Sequence, residues 1–321
     1  MRLLTFGETP LRFSPAGHER LATARRARIH ADGTESNAAA AAAALDADTT
    51  WVSRLPDAPP GRRVVSELRS HGVETQVAWA DPADCRQGVR FDETSAPPRV
   101  GVTHHDRGGT AVANTRPADL PMESAQSVDA VFTSTGTLAL SETVAETGEA
   151  LLRAARNNEA VTATDLDHQP GLTSPEAVAT AAESVLDHVD VLVARRDCVE
   201  RVLDRSGQPR ELALRLAADH DCELVAIARS DRHAVVLHDS PGTNVVHERR
   251  VTGTETVDPA GGHGAFVGAF LERYVSGADA AEALSHAVAA GALTRTLPGP
   301  FLSAGPAELR RVIDDRVEAA G

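Results

Sequence analysis

Along most of the chain, short runs of Val, Ile, Leu and Thr alternate with longer stretches rich in Ala and Leu. The runs at 2–6 (RLLTF), 49–55, 129–135, 160–166, 189–194, 223–229 and 234–238 read as strands. Between them lie helical stretches at 36–47, 61–72, 141–158 and 209–220, and in the last of these Leu212 and Leu216 recur at helical spacing. Strands alternating with helices of this length predict βαβ units. The fold class that follows is α/β, with a mostly parallel central sheet covered by helices on both faces. Residues 10–31 and 86–113 break the rhythm, because they read as short strands and turns without a helix. They predict a small β lid over the mouth of the larger body. Ligands of open α/β sheets bind there, outside the carboxyl ends of the strands.

Composition narrows the function. With 42% hydrophobic residues the chain is globular. No run of about 18 apolar residues predicts a membrane span. The start, MRLLTFGETPLRF, is broken at Gly7 and Glu8, too early for a signal peptide, so the expected address is the cytoplasm. Cys85, Cys198 and Cys222 stand too far apart for a disulfide framework or a zinc pattern. Acids outnumber bases 46 to 32, for a formal charge of -14, which argues against a nucleic-acid partner. Such a charge is easier to carry in strong salt, where the Debye length shrinks to about 3 Å at 1 M. A halophilic source is therefore expected, together with a GC-rich coding bias that favours Arg over Lys. Lysine is absent altogether, which excludes a Walker A loop and Schiff-base chemistry.

The densest chemistry lies in VDPAGGHGAFVGAFLERYV, residues 257–275. Gly261, Gly262 and Gly264 let the backbone turn its N–H groups toward one point. The helix expected from about Ala265 aims its positive end at the same point. This is an anion hole, or else an ordinary glycine-rich start to a helix. The spacing is not that of the dinucleotide turn G-x-G-x-x-G, because Phe266 stands where its third glycine would be.

The turn resembles the signature of the PfkB/ribokinase family of sugar kinases, D-T-x-G-A-G-D-A-F. LLTFGETPLRFSP is similar to the family's first strand and the start of its lid, and DGTESNAAAAAAALDADTTWVSRLPDAPPGRRVVSELRSHGVET to its N-terminal signature, with Gly33, Asn37, Gly61 and Gly72 in place. AVAAGALTRTLPGP (287–300) resembles the C-terminal helix and turn beside the adenine. FGETPLRFSP and APPRVGVTHHDRGGTAV look most like the 2-keto-3-deoxygluconate kinases of that family. The likeness covers nearly the whole chain. It implies one ribokinase-like domain over 1–321, with the lid formed by about 10–31 and 86–113. It also implies transfer of the γ-phosphate of ATP, with Mg²⁺, to a hydroxyl of a sugar or sugar acid. A homodimer through the lid is implied as well.

The same comparison exposes departures. The family's proton acceptor is the Asp before Ala-Phe, and that position is Gly264, preceded by His263 where a glycine is expected. Asp258 and His263 are the candidate substitutes. Substrate contacts are expected from Glu8, Gly33, Asn37, Arg90, Arg107, Asp165 and Asp167. Arg90 stands for a Tyr, and Gln169 replaces an Arg that would hold a substrate carboxylate. On the nucleotide side ARRDCVE and ARSDRHA replace the family's motifs, leaving Arg196, Arg229 and Ser230 as the expected contacts. His104 and His105 are adjacent on a strand and point to opposite faces, so no metal site is expected from them. Two functions follow: a sugar-acid kinase whose activity is weak or lost, or a non-catalytic paralogue that binds sugar or nucleotide, or regulates an active kinase.

Overall fold

The structure, a computed structural model, describes residues 1–229, 233–240 and 243–320. The chain opens with β1 (Arg2–Phe6), the hairpin β2 (Leu11–Pro15) and β3 (Ala27–Ala31), and helix α1 (Thr34–Ala44). Then come β4 (Asp48–Pro56), α2 (Pro59–Ser70), β5 (Glu74–Ala80), β6 (Val89–Glu93) and β7 (Val102–Asp106). The middle carries β8 (Ala130–Ser134), α3 (Thr135–Leu138), α4 (Glu142–Arg156), β9 (Val161–Leu166), α5 (Pro175–Glu183), β10 (Val191–Arg195), α6 (Arg196–Val202), α7 (Pro209–His220) and β11 (Leu224–Ala228). The chain ends with β12 (His233–Ser240), β13 (Thr243–Val251), α8 (Gly262–Val275), α9 (Ala280–Thr294), α10 (Pro306–Arg316) and β14 (Val317–Ala319).

Among the described residues the large sheet has the order β14-β13-β12-β11-β10-β9-β8-β1-β4-β5. From β5 to β11 every pairing is parallel, while β12, β13 and β14 add an antiparallel edge. This is the mostly parallel, helix-covered α/β sheet that the sequence predicts, with β5, β13 and β14 added to its strands. Parallel strands buried on both faces read as near-continuous apolar runs, which is why β10 (VLVAR) and β11 (LVAIA) were legible. Two apolar layers flank the sheet. One joins Leu4, Leu152, Leu192 and Leu216, and the other joins Leu3, Phe132, Phe266 and Phe270.

Residues 10–31 and 86–113 supply a second, four-stranded sheet of order β3-β2-β6-β7. Seven alanines in α1 favour the helix and leave it without bulk, so α8 packs closely along it. No helix among the described residues is long and apolar enough to cross a membrane.

Candidate active site

The carboxyl ends of β9, β10 and β11 lie side by side and open into a cleft beneath the small sheet. Alternation along β9 puts Ala163 and Asp165 on one face, where Ala163 packs with Phe266 and Phe270, while Leu166 joins the opposite layer. The cleft, of about 340 Å³, is lined by Asp32, Asn37, Arg90, Asp167, Arg195 and His263 among others. A smaller cavity of about 30 Å³ adjoins it, lined by Ala228, Arg229, Ala234 and Val288. His263 and Arg295 border both spaces and form the wall between them.

Helix α8 supplies that wall. Gly261 caps it at φ 72°, a left-handed conformation that favours glycine. The helix begins at Gly262 rather than at about Ala265, so His263 and Gly264 belong to its first turn. The first-turn N–H groups have no partner within the helix and point toward the cleft end, as an anion hole requires. His263, one of the two candidate substitutes, is largely buried. Its side chain is 15% exposed, and Nε2 lies 2.9 Å from both carboxylate oxygens of Asp165. Gly264 faces α1 at close range. A Cβ there would lie 2.5 Å from the Asn37 Cβ and 2.9 Å from the Thr34 carbonyl oxygen.

The remaining charges are nearly all spoken for. Arg12 is buried and donates to both oxygens of Asp258, at 2.9 and 2.7 Å, and its Nε lies 3.2 Å from Asp32. Asp258 also accepts from the Ala260 and Gly299 N–H groups. Burial opposes its charge, yet these contacts hold its carboxyl below the usual range. Asp32 accepts from Asn37 at 2.8 Å and pairs with Arg90, which also reaches Asp92 at 3.3 Å. Glu8 is buried against Arg107, whose Nη1 donates to Gln169 at 2.8 Å. Asp167 accepts from Arg195 and Gln169, both at 2.8 Å. Burial works against that charge too, and Arg195 and Gln169 still keep its carboxyl low. Gly33 caps α1, and buried Asn37 Oδ1 makes no hydrogen bond.

The structure therefore gathers Asn37, Arg90, Asp167, Gly261, His263 and Gly264 around one cleft, with Gly262 on the adjoining smaller cavity and Asp165 behind His263. Arg107 and Glu8 neutralise one another beside it. Asp258 lies one layer back, on Arg12. Arg196 turns outward to Glu200 at 2.9 Å, and its neighbour Arg195 is the residue that lines the cleft. Arg229 borders the smaller cavity and lies 3.7 Å from Glu248, while Ser230 falls outside the described residues. Arg12, Asp32, Arg195 and Arg295 escaped the sequence reading, and His105 was weighed there only as a metal ligand. The strand at 189–194 carried a signal for Arg195, since its next residue must sit at the carboxyl end of the sheet.

Residues 2–304 match the model of the pfkB family carbohydrate kinases. The chain belongs to that family. This family member is 42% identical over 311 residues to a 2-dehydro-3-deoxygalactonokinase of Haloferax volcanii, covering 97% of this chain and 96% of that one. It is 29% identical over 269 residues to a 2-dehydro-3-deoxygluconokinase of Thermoproteus tenax, covering 82% and 79%. The crystal structure of a 2-dehydro-3-deoxygluconokinase from Thermotoga maritima superposes with a TM-score of 0.87 at 25% identity, over 98% of each chain. The ribokinase-like fold expected from the signature turn is thus the fold of this pfkB-family chain.

Under the cleft, α1 carries one more acid of consequence. Glu35 is 1% exposed, and its Oε1 accepts from the Ser134 N–H at 3.0 Å and from the Ser134 and Thr137 hydroxyls, both at 2.7 Å. Burial pushes its carboxyl up to about 7, the hydrogen bonds oppose that, and the charge of Asp167 adds to the rise. A raised folded-state value means that the folded protein keeps a proton which the unfolded chain releases near 4.5. Stability is therefore lost as pH climbs from about 4.5 to about 7, and is flat above. Glu35→Gln keeps the accepting oxygen and removes the titration. It is expected to exceed the wild type in stability at pH 8 by roughly 3–4 kcal/mol, at about 1.4 kcal/mol per unit, and to match it near pH 4.5. Denaturant melts at both pH values check this, and an equal gap at the two would refute it.

The α1–α8 contact makes a second prediction. Gly264→Asp, the change that restores the family's residue, should destabilise the fold by about 1–3 kcal/mol through overpacking. That exceeds the few tenths gained from an acid at a helix N-terminus. Denaturation in KCl measures it, and an unchanged midpoint would show that α1 yields without cost.

Proposed function

We propose that the chain is an ATP-dependent kinase that phosphorylates a hydroxyl of a 2-keto-3-deoxy sugar acid. The observation that carries the reading is its near full-length likeness to the 2-dehydro-3-deoxygalactonokinase of Haloferax volcanii. The chemistry of the cleft supports it. Arg90, Arg195 and Arg295 line one space, a cationic wall suited to a substrate carboxylate. The glycine-rich first turn of α8, with Arg295 and Arg229 beside it, fits the phosphates of a nucleotide. Mg²⁺ arrives on those phosphates and needs one or two carboxylates at most. Bound ATP supplies the phosphoryl group, and the ion neutralises charge on it. The chain's own part is to hold the acceptor hydroxyl against the mouth of α8, with water excluded under the small sheet.

Gly264 stands where the family's acid is expected, and loss of a proton acceptor lowers turnover on the order of 10²–10⁴-fold. The reading is thus of a slow enzyme. The same glycine favours the second reading, a non-catalytic paralogue or a regulatory subunit.

The test is phosphoryl transfer from ATP and Mg²⁺ in high KCl, since the acidic composition points to a halophilic, cytoplasmic setting. With 2-keto-3-deoxygalactonate or 2-keto-3-deoxygluconate, ADP release should exceed that with ribose or fructose by at least about tenfold, a margin of 1.4 kcal/mol. No transfer to any acceptor, with melting still raised by a sugar acid, would leave the binding paralogue standing.

The small sheet carries a proposed homodimer contact on its open face, where Phe13, Pro15, Leu21 and Phe91 line an apolar hollow and Phe91 and Val102 are exposed. Sedimentation should give twice the chain mass, reduced to a monomer by Phe91→Asp; a monomeric wild type would end this reading.

A further inference from the structure

The acids around the cleft share one condition. Asp32, Asp92, Asp167, Asp258 and Glu8 each face at least one arginine. A carboxylate held by a guanidinium is a poor proton acceptor, because protonation breaks the pair. His105 also lines the cleft, but burial and the charges of Arg107 and Arg90 push it down to about 4. Asp165 differs. Its side chain is fully buried, and among the described residues its carboxylate has one hydrogen-bond partner, the Nε2 of His263.

A buried carboxylate demands a donor, so Nε2 carries the ring's proton and Nδ1 carries its lone pair. Among the described residues Nδ1 has no hydrogen-bond partner. The ring lies nearly parallel to Phe266, at an interplanar angle of 7°. It stands in the wall between the two cavities, where an acceptor from one side would meet a phosphate from the other. A third group orienting a base through its far nitrogen is the arrangement that activates hydroxyls elsewhere.

We propose that His263, oriented by Asp165, takes the proton from the acceptor hydroxyl. This deepens the kinase reading and rests on it. The hydroxyl O–H bond breaks and its proton passes to Nδ1 of His263. The freed oxygen pair bonds to the γ-phosphorus, and the bond from that phosphorus to the bridging oxygen breaks. Its electron pair stays on the β-phosphate of ADP. The imidazolium rests against the Asp165 carboxylate and returns its proton to water. His263 is then the catalytic residue and Asp165 a positioning residue. Gly264 ceases to be a simple loss, because a side chain there would crowd α1.

The test uses the full chain in KCl, with the best sugar acid from the acceptor panel. His263→Gln should lower kcat on the order of 10²–10⁴-fold, with KM for the sugar acid and for ATP changed little. Imidazole added to His263→Ala should restore part of the rate. Asp165→Asn should lower kcat in the same direction, and the double variant His263→Ala/Asp165→Asn should be no slower than His263→Ala alone. Melting curves show whether each variant is folded. Turnover in His263→Gln close to the wild type would overturn the proposal, as would a folded His263→Ala that imidazole cannot rescue. Absence of transfer by the wild type itself would overturn the kinase reading and the base with it, so the two failures are told apart by the wild-type trace.

Discussion

Helix α1 lies so close to α8 that neither can carry bulk where they meet, and the site is shaped by that contact. Gly264 and Gly268 are one turn apart on α8, and each would meet the backbone or Cβ of α1 if it gained a side chain. The alanines of α1 complete the fit. Close approach brings two helix N-termini to the same mouth, one carrying Asp32, Gly33 and Asn37, the other the turn at Gly261. It also fixes where chemistry can stand. An acid at position 264 would crowd α1, while the preceding position points away from α1 and toward β9. The side chain at 263 can therefore reach Asp165, and does.

The charge pattern follows a related logic. A chain without lysine must neutralise its interior acids with arginine. Arg12 shows the advantage: its planar fork holds both oxygens of Asp258 and still lies near Asp32 and Asp92. Such pairs are costly to bury and costlier to break. They lock the base of the small sheet to the turn before α8, so the cleft is assembled by electrostatics as well as by helix packing. Asp165 stands outside this pattern, and its partner is the residue type that can accept a proton from its other nitrogen.

Much of the architecture was legible in the chain. The alternation of apolar strand runs with helical stretches gave the parallel sheet because a strand buried on both faces cannot hide its hydrophobicity. The segments at 10–31 and 86–113 gave the small sheet because they lacked any helical period. The helix boundary at α8 was less legible. Glycine has poor helix propensity, so His263 and Gly264 looked like loop, yet packing against α1 and α9 carries the helix back to Gly262. Arg195 was passed over for Arg196 because a one-residue step at a strand end reverses the side of the sheet, and no local signal says which side faces a ligand.

By itself, then, the sequence determined the layer order, the glycine turn, the absence of lysine chemistry and the vacancy at position 264, since these depend on composition and local period. Tertiary structure alone decided which groups are free to react. Asp258 looked available until Arg12, 246 residues away, was seen to hold it. His263 was a candidate without a partner until Asp165, 98 residues away, was found beneath it. A side chain's proton chemistry is set by what the fold brings within about 3 Å of it, and no reading along the chain contains that distance.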